Sequence, residues 1–482
     1  MQIQSIHLWM ILLAFAFVVP SFGSAQKFDF AAEQAKVEKL LVQNRNDEAM
    51  RIAQIAATTE IEDCRRIEDE RVANARLWLG ETALQLKQFL VAESEIQKAL
   101  SHRQKYIGKA SLPTAEAHAA WARFFLETGL GDRAEIELES ALRIYAALGN
   151  AKLQESQARE QLAGLCLMSG RLSDAEKLYD SVLTFEALRL GDQNPELARV
   201  LNNLGGTYLA QGRYERAKGT YEQAMNLQTA AFGADGLPLA TTCTNLGVLS
   251  EQLTDYPEAE KYLLRAYAIR NQHLRLWDPL VLVSLDNLVS FHIKQNEFSK
   301  AEALLVEAKR LREQRLGADQ PAVAEILDRF ATLSMARDQA DHAERYWLLA
   351  LQIRENSLGP QHEFVAANLY NLGKLENVLH KNDQARIHLN WALDIYEGQS
   401  VGNEGQVTAV LSELFMCDFM QGKIEDAAAQ LELMRTIKAE VFGDAHPETI
   451  AVMEEQLKFY TEVQWLPQAA QIEAEILKIR GR

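Results

Sequence analysis

The sequence predicts an all-α fold, a solenoid of about ten to eleven antiparallel helix pairs. Three observations carry that prediction. Alanine recurs at a near-constant step, at Ala49, Ala92, Ala134, Ala175, Ala217, Ala259, Ala301, Ala343, Ala385, Ala427 and Ala469. The last seven intervals are all 42 residues, and a period this regular means one unit repeated along the chain. Within each unit, apolar and small residues follow helical spacing. Glycine and proline then punctuate each unit at two fixed places. Composition agrees: 10 prolines and 8% aromatics in 482 residues favour helices over a sandwich or barrel.

One unit shows the logic. Leu201, Leu204, Gly205 and Tyr208 follow i, i+3, i+4, i+7 spacing, one face of a first helix. Tyr214, Ala217, Tyr221 and Ala224 repeat that spacing for a second helix. Between them, Gly212 can take the positive φ that ends the first helix, and Gly170, Asn296 and Gly422 hold the same place. Gly205, Ala217 and Ala224 fall where the two helices should approach closely, so larger side chains there would overpack. Gly191, Gly233, Gly317, Gly359 and Gly443 close the second helix, and Pro195, Pro238, Pro279, Pro321 and Pro447 open the next. Asn194 and Asp278 stand before their prolines as caps. Two helices of about 16 residues with short loops fill the period. The end units depart from the pattern: the first lacks the glycine, and the last has Gln456 and Glu473 at core positions. Terminal units that meet water on one side are expected to differ in this way.

At these residues the sequence resembles the tetratricopeptide repeat family, whose signature offsets hold Leu204, Gly205, Tyr208, Ala217, Tyr221 and Ala224. It is similar in particular to the 42-residue kinesin light chain variety, in the run Leu201 to Ala217 and in the link Phe442-Gly443-Asp444-Ala445-His446-Pro447. The resemblance spans roughly residues 30 to 480 and is clearest over 190–450. It implies a right-handed superhelix with first helices on the concave side, and a role in holding peptides or proteins.

Outside the array, Leu8 to Val19 is a twelve-residue apolar run followed by Pro20 and the small residues Gly23-Ser24-Ala25. The run is short for a membrane span, so a signal peptide cleaved near Ala25 and an exported mature chain without a membrane span are expected. A net charge of −17 argues against a general nucleic-acid binder, which would need a basic face. The charged run Glu60 to Arg71 reads as a solvated helix face with paired charges. Cys64, Cys166, Cys243 and Cys417 lie in different repeats with no metal spacing, and buried free thiols are expected.

Function is looked for along one column of the first helices. Stepping by the period through position 203 gives Gln161, Asn203, Asn245, Asn287, Arg329, Asn371, Glu413 and Glu455. Asparagine is a poor helix former, so its recurrence needs a reason. Its amide can pair with a peptide backbone whatever the ligand's sequence, and asparagine ladders of this kind are what the resemblance implies. Asn203, Asn245, Asn287, Asn371 and Arg329 are therefore the candidate peptide-binding residues. The competing reading is that they tie neighbouring repeats together. The two C-terminal glutamates would suit a ligand with basic residues at one end.

Nothing points to catalysis, a metal or a cofactor: there is no GxSxG, Walker loop or HExxH, and His362-Glu363 falls in an inter-repeat link. His380 and His388 lack a third ligand, and Trp121, Trp347 and Trp391 fall on core positions. The expected function is a non-catalytic, exported scaffold that holds a peptide or protein partner in its concave groove. The alternative is an assembly or carrier factor in an envelope or secretion complex.

Overall fold

The computed structural model describes residues 28–43, 45–64, 69–398 and 403–481. Among them, twenty-two α-helices form eleven antiparallel pairs, and there is no strand. Repeats one to five pair Phe30–Val42 with Asn46–Asp63, Glu70–Gln85 with Phe89–His102, Leu112–Glu127 with Gly131–Leu148, Lys152–Met168 with Leu172–Leu190, and Leu197–Ala210 with Tyr214–Phe232. Repeats six to eight pair Leu239–Gln252 with Tyr256–His273, Pro279–Lys294 with Phe298–Leu316, and Pro321–Ala336 with Ala340–Leu358. Repeats nine to eleven pair Glu363–Val378 with Asn382–Glu397, Glu404–Met420 with Ile424–Phe442, and Pro447–Glu462 with Leu466–Arg480. The apolar run and cleavage site near Ala25 lie outside the described residues. No described helix is long and apolar enough to cross a membrane.

Most of the punctuation falls where the sequence puts it. Gly212 has φ +71°, and Asn296 holds the same conformation at φ +58° without being glycine. The Asn194 side chain accepts a hydrogen bond from the Glu196 N–H at 2.9 Å, and Asp278 accepts from the Leu280 N–H at 2.9 Å. Pro279, Pro321 and Pro447 open their helices. Pro195 and Pro238 do not: each lies in a turn, and helix begins at Leu197 and Leu239.

Two expectations are corrected. The run Glu60 to Arg71 is not one helix face, because the first repeat ends at Asp63 and Asp69 caps the next helix. Residues 65–68 of that run lie outside the described residues. Cys166, Cys243 and Cys417 are buried free thiols, but Cys64 is only half-buried, since it sits in this same link rather than between packed helices.

The core is the seam between paired helices. Ala217 and Ala224 are fully buried, and a Cβ added to Gly205 would lie 2.5 Å from the Tyr221 ring. That separation is below any tolerable contact, so this position requires glycine while Tyr221 fills the space opposite. Trp121 and Trp347 are buried in this seam, and Trp391 packs against it half-buried.

Between repeats the stitching is polar. Gln228, Arg270, Arg312 and Arg354 occupy one column of the second helices, all buried. Thr242 donates its hydroxyl to Gln228 at 2.7 Å, and Arg270 donates to Ser284 at 2.6 Å. Arg354 donates to Asn368 at 2.7 Å and to Asp328 at 3.1 Å. Arg312 is less well served: its Nε and Nη2 have no hydrogen-bond partner. Each contact crosses to the following repeat's first helix, except that of Asp328, which lies on the first helix of Arg354's own repeat.

The array also curls far enough to meet itself. His446, in the link after repeat ten, lies 2.7 Å from the Asp132 carboxylate of repeat three, and Arg133 donates to the Val441 carbonyl at 3.2 Å. First helices of neighbouring repeats pack on one another, so the surface they share is lined by the same columns repeat after repeat.

Candidate functional site

The column through position 203 is not uniform. Asn203 donates to Glu160 at 3.3 Å, and Asn245 donates to Asn202 at 3.1 Å, each reaching the preceding repeat's first helix. Arg329 forms a two-pronged ion pair with Asp286, again one repeat back. These three side chains are engaged in holding repeats in register. Asn287 and Asn371 are half-buried and, among the described residues, their amides have no hydrogen-bond partner. Farther on, Asn377 donates to Glu413, and Glu455 is exposed.

Open space lies instead at the N-terminal end of the same column. Two cavities of about 730 and 770 Å³ share Glu81, Arg123 and Gln161, so they form one trough. It runs over the first helices of repeats one to five, from Val37 and Glu38 to Arg199. In that column Trp78, Ala120 and Gln161 stand here, and among the described residues none of their side chains bonds across to a neighbouring repeat as Asn203 and Arg329 do.

Charged walls of the trough are mostly self-paired. Arg123 is bonded to Glu81, and Arg199 to Glu160. Glu116 is held above the ordinary carboxylate range by burial, with the Arg103 guanidinium 3.9 Å away opposing that rise. Burial pushes the Tyr145 phenol up to about 12, so it is a neutral hydroxyl on this wall. The amides are different. Gln85, Gln154, Gln157 and Gln161 line the trough, and among the described residues none of their side chains has a hydrogen-bond partner. Each offers a donor and an acceptor to whatever enters. Gln154, Gln157 and Gln161 follow i, i+3, i+7 spacing, a signal the sequence carries in a single helix.

Elsewhere, three groups able to ligate a metal come together that sequence spacing did not suggest. The ligand-capable atoms of Glu260, His292 and Glu297 lie within 4.8 Å of one another. His292 Nδ1 is 2.9 Å from Glu297, and the Lys300 ammonium sits 3.1 Å from Glu260 and 3.0 Å from Glu297. The chain thus supplies a cation of its own there. His388 lies 2.8 Å from buried Glu376, and His362 Nδ1 accepts from the Phe364 N–H at 3.2 Å as a helix cap.

Comparison with known proteins bears on the repeat. Residues 189–272, 327–398 and 281–322 match models of the tetratricopeptide repeat. No curated protein matches the chain. Among solved structures, it is similar to the nearly identical kinesin-light-chain-type TPR-like repeats of Podosopora anserina, at 19% identity over 42% of this chain and 95% of that one, with a TM-score of 0.36. The quorum sensor NprR from B. thuringiensis matches at 16% identity over 76% of this chain and 98% of that one, TM-score 0.45. BtubC from P. vanneervenii matches at 21% identity over 60% and 94%, TM-score 0.29. Residues 189–272, 281–322 and 327–398 are thus tetratricopeptide repeats, and the same paired-helix unit continues through the other described residues.

Proposed function

We propose that this protein is a non-catalytic scaffold that holds an extended peptide, or an extended segment of a partner protein, in the trough of repeats one to five. The observation that carries the reading is the set of four trough glutamines whose amides have no partner among the described residues. Inner helices about 10 Å apart give the trough a length of about 40 Å, room for about twelve residues of extended chain. An amide-lined wall holds main chain and leaves side-chain preference to other residues. Export belongs to the same proposal and is supported by Leu8 to Val19 and the small residues after it. Sequencing the N-terminus of the protein recovered from its host tests that part: a start at Gln26 supports it, and an intact Met1 contradicts it.

Binding is tested with an array of synthetic 12-residue peptides and the purified full chain. The tightest binders are then titrated against the wild type, Ala119→Trp, and Gln154→Ala/Gln157→Ala/Gln161→Ala. Three lost hydrogen bonds at about 0.5–1.5 kcal/mol each correspond to roughly 10-fold or greater weakening, with an unchanged melting temperature. Affinity unaltered by both variants would place binding elsewhere.

A further inference from the structure

We propose that the end of the trough at Trp78 is a cation subsite that takes an arginine side chain of the bound chain. The proposal rests on the peptide-holding role of the trough and adds what that trough selects. Trp78 lines the first cavity half-buried, fixed by a T-shaped contact with Phe30 at 5.1 Å between centroids. Glu38 and Glu127 line the same cavity, both exposed, and among the described residues neither has an ion pair or hydrogen-bond partner. The Glu81 carboxylate on this wall is already committed to Arg123. Lys87 is likewise without an ion pair and offsets one carboxylate, which leaves one negative charge in excess.

An indole and unneutralised carboxylates in one concavity match a particular side chain. Tryptophan is the best aromatic partner for a cation, and guanidinium stacks on it with its plane while its N–H groups fork to carboxylates. Among the described residues no cation of the chain lies over the Trp78 ring, although eight other such contacts occur. A lysine would satisfy the charge but not the planar stacking. A carboxylate-bearing ligand would meet Glu38 and Glu127 with like charge. The sequence had suggested acidic selection at the opposite end, at Glu413 and Glu455; Glu413 is bonded to Asn377, and neither glutamate lines this trough.

The test walks arginine, lysine, citrulline and glutamate through every position of a 12-residue Thr/Val/Gln peptide and measures binding to the full chain. Citrulline keeps the shape of arginine and removes its charge. At one position, arginine is expected to bind about tenfold more tightly than citrulline, with glutamate weaker still. Trp78→Leu and, separately, Glu38→Gln/Glu127→Gln should erase that preference while citrulline peptides bind as before. The glutamate pair is exposed, so its replacement keeps the test valid even if Trp78→Leu disturbs the packing on Phe30. If arginine and citrulline bind equally to the wild type and Ala119→Trp blocks both, the trough holds peptides and the cation subsite is wrong. If no peptide binds at any position, the peptide-holding role itself fails and the subsite with it.

Discussion

Gly205→Val is expected to destabilise the array by about 2–3 kcal/mol, while Gly206→Ala, one residue along, should stabilise it by up to about 1 kcal/mol. The two glycines look alike in sequence. A Cβ on Gly205 would lie 2.5, 2.7 and 3.0 Å from three carbons of the Tyr221 ring. That ring is 1% exposed and walled in, so it cannot yield. A Cβ on Gly206 would meet only the Tyr221 hydroxyl, at 3.7 Å, an ordinary contact. There the gain in helix propensity on leaving glycine is uncompensated by any clash. Denaturant unfolding followed by circular dichroism reads both, and opposite signs are the expected result. A loss of stability in both variants would mean that close packing at 205 is not what the glycine serves.

Arg354→Ala is expected to cost about 3–5 kcal/mol, because it strands the partly buried Asp328 and the buried Asn368 without their shared donor. Arg312→Met, at the equivalent place one repeat earlier, should be neutral or stabilising. Arg312 is 1% exposed, yet two of its three nitrogens have no hydrogen-bond partner. Its burial therefore removes hydration without full replacement, whereas methionine fills a similar volume with no polar debt. Unfolding midpoints of the two variants decide the matter. Equal losses would show that the second-helix arginines act by bulk rather than by their bonds.

The two substitutions also mark what could be read in advance. Close packing at Gly205 is visible in the sequence, because glycine recurs in the same register at Gly80, Gly247 and Gly373, though not in every repeat. The turn residues are equally legible, and even Asn296 takes the conformation its column demands. The arginine column was not legible. Gln228, Arg270, Arg312 and Arg354 share spacing, but a charged residue at helical period reads as a solvated face until its partners across the repeat boundary are known. The candidate site was legible in part. The position-203 column runs along the surface on which the proposed trough lies, and it could not tell which members reach back to a neighbour. Asn203, Asn245 and Arg329 do so, whereas Gln161 does not. Whether an amide is free depends on what lies one repeat before it, some 42 residues away in sequence. The trough lies where the members of that column, Trp78, Ala120 and Gln161, make no bond across to a neighbouring repeat, a feature of shape rather than of any motif.

The most direct test is photo-cross-linking from two positions with a bound 12-residue peptide. Benzoylphenylalanine replaces Gln161 on the trough wall in one variant, and Ile136, 61% exposed on a second helix, in the other. Cross-linking at position 161, lost on adding excess unlabelled peptide, and none at position 136 is the expected result. Capture at position 136 with none at position 161 would contradict the trough as the place where this protein holds its partner.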